Sequence, residues 1–348
     1  MMKRDPVDVL RRLLVLPVML SIVGSFATAG LATANSFPGW ANSHYMSPLT
    51  SSAAYGYGCD LAGGTYQQGT TQDLVVILDF GYPSTSGSTY GAGLWSGGGH
   101  QFESDAYIAD KVEQFGFGWY NCSGTTEQLK IVVGVMTDSS TTVTAAAGTH
   151  WGDMVDSINA WMSTSPHTIV SQVYAYGGID IESGFAATAS QITAWVNAFS
   201  TASSATFTYD FGDAAGCPYA SYTSPPGYAC NRGWTQDNYF YWSWGCSACE
   251  GMPEIYNTTT VTLPNGNTSD HNAQQWEGIR RYGYNEKGST NVFVASTTQR
   301  TACGQPGHSC SGTNNTALTG WTHLHNSLGA YAPTTSVLYG STDFMWGW

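Results

Sequence analysis

Leu74-Val75-Val76-Ile77-Leu78-Asp79-Phe80 is an unbroken apolar run of strand length, interrupted only by an acid near its end. Strands of a parallel sheet read this way because helices cover both of its faces. Two similar runs follow at Leu129–Met136 and Val173–Ile181, and apolar residues recur at helical spacing between and after them. Trp151, Val155, Ile158 and Met162 mark one helix, Ile192, Trp195, Val196 and Phe199 another, and Ser104–Phe115 an earlier one. Further strand candidates lie at 205–211, Tyr239–Trp244, Pro253–Tyr256, Asn291–Ser296 and 337–344, with helical patterns at Trp276–Tyr284 and Trp321–Leu328. Strands alternating with helices in a body of this length predict an α/β fold, a (β/α)8 TIM-type barrel. An open doubly wound sheet is the rival, but the Gly-rich dinucleotide turn it would carry is missing.

Working outward, residues 1–34 read as a secretory signal peptide. Lys3, Arg4, Arg11 and Arg12 precede the apolar stretch Leu13–Ile22, and Ala32-Thr33-Ala34 forms an A-x-A-like cleavage site. The small, polar tail Ala27-Thr28-Ala29-Gly30 makes a poor membrane span. Arg11-Arg12 leaves Sec and twin-arginine export both open. Residues 35–70, rich in Ser, Gly and Tyr without a period, read as an N-terminal arm, and 71–348 as the barrel domain. The Gly-rich segment Gly81–His100 reads as a loop above the first predicted strand.

The 348 residues include only 10% charged residues but 41 Gly, 21 Tyr and 13 Trp. Four cations and two acids fall in the first twelve residues, so a net charge of −13 becomes −15 in the body. Its cations, Lys111, Lys130, Arg232, Arg280, Arg281, Lys287 and Arg300, form no cluster able to neutralise phosphates. Nucleic acid and anionic membrane are thereby excluded as partners, and a neutral or weakly charged polysaccharide or oligosaccharide suits the surface better. Eight cysteines in an exported chain argue for disulfides. Spacing suggests Cys217–Cys230, Cys246–Cys249 and Cys303–Cys310 as local staples, which leaves Cys59 with Cys122. The Cys246-x-x-Cys249 spacing lacks the second ligand pair of a zinc site.

In a barrel, catalytic groups come from the C-terminal ends of the strands. Asp79, Asp138, Asp180 with Glu182, Asp210, Glu254 and Asp343 all fall at such ends. Gly177-Gly178-Ile179-Asp180-Ile181-Glu182 closes a strand on D-x-E, and period-two geometry turns both acids to one face. Two carboxylates side by side repel, so one retains its proton near neutral pH, as a general acid must. Cleavage of a glycosidic bond is the chemistry such pairs perform. Glu182 is the expected general acid/base, Asp180 its modulator, and Asp79, Asp210 and Glu254 supporting acids. No cofactor is implied.

Leu78-Asp79-Phe80 and Ile179-Asp180-Ile181-Glu182 resemble family-25 glycoside hydrolases, the lysozyme-like muramidases, which place an Asp on the first strand and D-x-E on a middle one. The resemblance implies Glu182 as general acid, Asp180 and Asp79 as its partners, and Asp343 at a further acidic position. Family-18 enzymes also end a strand in acid-x-Glu, but their fuller D-x-x-D-x-D-x-E is absent, with Gly178 at one of its acidic places. Pro253-Glu254-Ile255-Tyr256-Asn257, Asn272-Ala273-Gln274-Gln275-Trp276 and Thr313-Asn314-Asn315 resemble a group of uncharacterised secreted bacterial barrel proteins.

Trp95 in the Gly-rich loop and Trp242 and Trp244 at the end of the fifth predicted strand are candidate sugar-stacking residues, core packing being the competing reading. Tyr209, Tyr256 and Asp343 are candidates for substrate contact beside the acids, and Tyr256 can hydrogen-bond Glu254. The eight histidines form no H-E-x-x-H or other metal spacing, and no G-x-S-x-G elbow occurs. A non-catalytic carbohydrate-binding or cell-envelope protein on the same barrel is the alternative to a secreted hydrolase.

Overall fold

The computed structural model describes residues 37–348 apart from 65–66, 69–72, 98, 125, 204–205, 220–228, 313, 331–339 and 348. The predicted signal peptide and Thr313 lie outside the described residues, as do parts of the strand candidates at 205–211 and 337–344. Among the described residues, eight parallel strands form the barrel sheet, with a two-residue antiparallel strand, Gln67–Gln68, beside the first: β1 (Trp40–Tyr45), β2 (Leu74–Asp79), β3 (Leu129–Met136), β4 (Val173–Asp180), β5 (Thr208–Asp210), β6 (Cys249–Gly251), β7 (Ser296–Thr298) and β8 (Ser341–Trp346). Their order is β6-β5-β4-β3-β2-β1-β8-β7, and parallel bridges Gly251↔Phe293 and Glu254↔Thr297 bring the two edges together. The sheet thus curls into the expected (β/α)8 barrel, with helices on its outside.

Those helices are α1 (Ser51–Ala62), α2 (Asp105–Ser123), α3 (Ala145–Ser163), α4 (Ala189–Ala202), α5 (Gln236–Phe240), α6 (His271–Lys287), α7 (Arg300–Gly304) and α8 (Ala317–Ala330). One apolar cluster, including Trp119, Trp151, Trp195 and Phe199, fills the space between strands and helices. A second, including Val75, Ile77, Val132, Phe211 and Phe344, fills the barrel's inside. The Gly177-Gly178 pair serves both layers. A Cβ on Gly177 would strike the Phe199 ring of α4, and one on Gly178 would strike Val132 and Phe211 inside the barrel.

Eight parallel strands match the expected number, but their identities differ from expectation at several places. The segment read as an arm contributes β1, which pairs with β8 from Trp40↔Ser341 to Tyr45↔Trp346 and with β2 at His44↔Leu78 and Tyr45↔Asp79. Tyr239–Trp244, read as a strand, is instead helical. Thr235 caps α5 through a reciprocal box with Asn238, and the chain continues into a π-helical turn, Tyr241–Gly245. The sixth strand precedes Pro253, at Cys249–Gly251, and the seventh follows Asn291–Ala295. Gly81–His100 is ordered rather than a simple loop: Tyr82–Ser86, Thr89–Ser96 and Gly99–Ser104 make a three-stranded antiparallel flap. Disulfides join Cys59–Cys122, Cys217–Cys230, Cys246–Cys249 and Cys303–Cys310. No helix among the described residues is long and apolar enough to cross a membrane.

Candidate active site

The C-terminal ends of the strands open into a cavity of about 520 Å³. Alternation along each strand decides what reaches it. In β2, Val75 and Ile77 belong to the inner cluster, so Asp79 at the strand's end points inward with them. In β4 the same parity carries Asp180 inward, and Glu182, two residues on, follows it into the cavity wall. Glu254 enters from beyond β6, where its N–H donates to the Gly212 carbonyl at 3.1 Å. Carboxylate oxygens of Asp180, Glu182 and Glu254 lie within 4.8 Å of one another.

A fourth wall acid, Asp213, was not singled out in the sequence. It sits on the loop after β5, where Gly212 crosses so close to the Ile181 backbone that a Cβ there would collide with it. That approach sets Asp213 beside Glu182. The N–H of Ala215 donates to Asp213 Oδ1 at 3.1 Å. Sequence reading had no means to find it, since the contact depends on backbone proximity rather than on spacing.

Burial and mutual repulsion act in one direction on these groups. Asp79, fully buried, is pushed up to about 8, against the Gly81 N–H that donates to its Oδ1 at 2.9 Å. Burial, with Glu182 and Asp79 close by, holds Asp180 well above the usual carboxylate range. Glu182 is pushed up to about 7 by burial and by Asp213, while a hydrogen bond with Glu254 pulls the other way. Glu254 is raised by burial, then by Glu182, Asp180 and Asp213. Tyr256 Oη donates to Glu254 Oε1 at 2.5 Å. Burial and the neighbouring acids favour a proton on the deeper Glu254, and the Tyr256 phenol opposes them.

Aromatic rings form the facing wall. Tyr45 of β1 packs on Trp346 of β8 with ring centres 4.3 Å apart, and Trp95 of the flap meets Trp346 edge-on at 5.2 Å. Tyr256, Tyr219 and Phe185 also line the cavity, as do the amides of Asn257, Asn272, Gln275 and Gln299. No Lys or Arg is among the lining residues.

Several expected residues lie elsewhere. Asp210 is buried on the outer side of β5, because its neighbours Tyr209 and Phe211 take the inward positions; Ser243 Oγ donates to its Oδ2 at 2.7 Å. Tyr209 is inside the barrel, stacked on Tyr176 below the cavity. Trp242 is fully buried, its indole N–H donating to Thr193 Oγ1 at 2.9 Å. Trp244 packs against Phe293 and donates to the Val292 carbonyl. Both belong to the helical turn that replaced the fifth predicted strand. Asp343 faces outward from β8 and accepts from the N–H groups of Arg300 and Thr301, 2.7 and 3.0 Å away, capping α7.

The three converging carboxylates are hard oxygen donors of the kind that suit Ca²⁺ or Mg²⁺, and they equally suit proton transfer. No protein family model matches the sequence, and no curated protein matches it. Among solved structures, the chain is similar to an endo-1,4-β-D-mannanase from Thermotoga petrophila RKU-1, with a TM-score of 0.38 at 10% identity over 89% of this chain and 88% of that one. A second Thermotoga petrophila endo-β-1,4-mannanase structure gives 0.38 at 10% identity, over 89% and 68% of the two chains. An endo-1,4-β-mannanase from Rhizomucor miehei gives 0.39 at 10% identity, over 88% and 85%. At this level no activity or substrate carries over from them.

Proposed function

We propose that the protein is a secreted glycoside hydrolase that cleaves a polysaccharide by carboxylate chemistry at the barrel mouth. The observation that carries this reading is the convergence of Asp180, Glu182 and Glu254 in an open cavity that faces them with aromatic rings. Sugar rings present C–H faces to such aromatics while the acids meet the glycosidic bond. Residues 1–34 are the export signal in this reading, and four disulfides suit an oxidising compartment.

Glu182 is the general acid/base. Its proton passes to the glycosidic oxygen as the bond from that oxygen to the anomeric carbon breaks, the electron pair staying on the oxygen. Glu254, held by the Tyr256 phenol, bonds the anomeric carbon. Water then attacks that carbon, gives its proton to Glu182 and releases Glu254. The closeness of these oxygens favours the shorter spacing of a retaining pair over the wider gap that holds an inverting pair's water, so retention of the anomeric configuration is the expected outcome. Asp180 and Asp79 act as positioning residues that hold the proton on the cluster.

The test is a polysaccharide panel with reducing-end detection, using the wild type and Glu182→Gln. The amide keeps the shape but has no acidic proton to give, so hydrolysis is abolished while the fold remains. A fully active Glu182→Gln variant would overturn the assignment. A wild type that binds sugars but cleaves none would favour the non-catalytic binding protein.

A further inference from the structure

Resting on the hydrolytic reading above, we infer that the substrate is a polymer of hexosamine with free amino groups, its ammonium received by the cavity carboxylates. Oxygens of Asp180, Glu182 and Glu254 converge within 4.8 Å, and an alkylammonium offers three N–H donors to such a set. Asp180 is only 4% exposed, lines the cavity, and leaves its Oδ1 without a hydrogen-bond partner. That oxygen is open to a hydrogen-bond donor carried by the ligand, and a bound ammonium would favour its charged form. Among the described lining residues there is no lysine or arginine, and His271 is the one side chain able to carry positive charge.

Tyr45, Trp95 and Trp346 line the cavity as one aromatic stack, Tyr45 lying between Phe344 and Trp346 and Trp346 also against His308, so ring edges and Trp95 are what a ligand meets there. The first turn of α6 also faces the cavity, but Asp270 caps it by accepting from the Ala273 N–H at 2.8 Å, which offsets the positive end of the helix. In a hexosamine the amine sits on the carbon next to the anomeric one. A sugar placed with its glycosidic bond at Glu182 keeps that amine within the same acid-lined wall, where Asp180 and Asp213 are the acids with no bond-breaking role. An N-acetyl group would remove the charge and set a methyl among carboxylates.

The test compares glucosamine and galactosamine oligomers with their N-acetylated forms and with neutral cello- and manno-oligomers. Hydrolysis is followed with the wild type, and binding by calorimetry with Glu182→Gln at low and high salt. Free-amine oligomers are expected to bind roughly tenfold or more tightly than the acetylated ones, and the preference to shrink with salt. Asp213→Asn should narrow the ratio between amine and acetylated substrates. Equal or better binding of acetylated or neutral oligomers overturns the inference, whichever of them the wild type cleaves. Selective binding of free amines without hydrolysis of any oligomer upholds it and instead removes the hydrolytic reading.

Discussion

Tyr256 tests the division of labour within the acid cluster, because its phenol touches Glu254 and neither of the other two acids has that support. Tyr256→Phe removes one charge-assisted hydrogen bond from the group that must carry negative charge. The expected result is a kcat lower by roughly tenfold to a hundredfold with the melting temperature little changed; unchanged kinetics would take Glu254 out of the nucleophile's place. Chelation offers a second check on the same residues. Protons, not a metal, are the reagent in the proposed chemistry, so dialysis against EDTA should leave kcat/KM unaltered, and a loss restored by Ca²⁺ or Mg²⁺ would mean that the three carboxylates ligate a cation. Strand parity explains which of these residues the sequence reveals. Asp180 and Glu182 share a face because they are two apart at a strand end, and Asp79 follows from the apolar run before it. Asp210 fails on the same rule, since Tyr209 and Phe211 occupy the inward positions and leave it outside. Asp213 was invisible because only the Gly212–Ile181 backbone contact brings it in.

Elements with continuous apolar runs were legible, and those whose burial is polar were not. Trp40-Ala41-Asn42-Ser43-His44-Tyr45 has no β-branched residue, yet it is a central barrel strand. Its polar side chains find partners in its neighbours: Asn42 donates to the Asp343 carbonyl at 2.8 Å, and Ser43 Oγ accepts from the Ile77 N–H at 2.7 Å. Tyr239–Trp244 misleads in the opposite sense, because aromatic residues favour strands by propensity while the Thr235–Asn238 capping box starts a helix. Helix α1, also in the segment read as an arm, shows what sequence spacing hides. Gly58 of α1 lies against the Phe115 backbone of α2, Gly118 of α2 lies against the Tyr55 backbone, and Cys59–Cys122 ties the pair. Gly58→Ala would force the helices apart and should destabilise the protein by about 2–3 kcal/mol. Gly56→Ala, two residues away, meets nothing within 4 Å and should instead stabilise by about 0.5–1 kcal/mol. Denaturant unfolding of both variants checks the contrast. Equal effects would mean that the close helix contact does not limit packing.

At the scale of the whole molecule, the acids have a consequence for stability that runs against the usual carboxylate pattern. Most native carboxylates are stabilised in their charged form and lose that contribution in acid. Here Asp79 is pushed up to about 8 from an ordinary 3.8, and Asp210 and Glu250 up to about 7, burial being the first cause in each case. Between the ordinary and the raised values the folded chain holds protons that the unfolded chain has released. Stability from these groups is therefore complete below about pH 4 and declines as pH rises through 7 and 8. The protein should melt highest on the acid side of neutrality, with the melting temperature falling by several °C between pH 5 and pH 8.5. Asp79 is the residue to isolate, since it is fully buried and its Oδ2 has no hydrogen-bond partner. An asparagine can still accept from the Gly81 N–H and places a neutral donor among the remaining carboxylates. Asp79→Asn should accordingly match or fall below the wild type at pH 4 and exceed it by several °C at pH 8.5. A wild-type melting temperature that stays flat across this range, together with an Asp79→Asn variant that melts lower at pH 8.5, would show that Asp79 is ionised and favourably held in the fold.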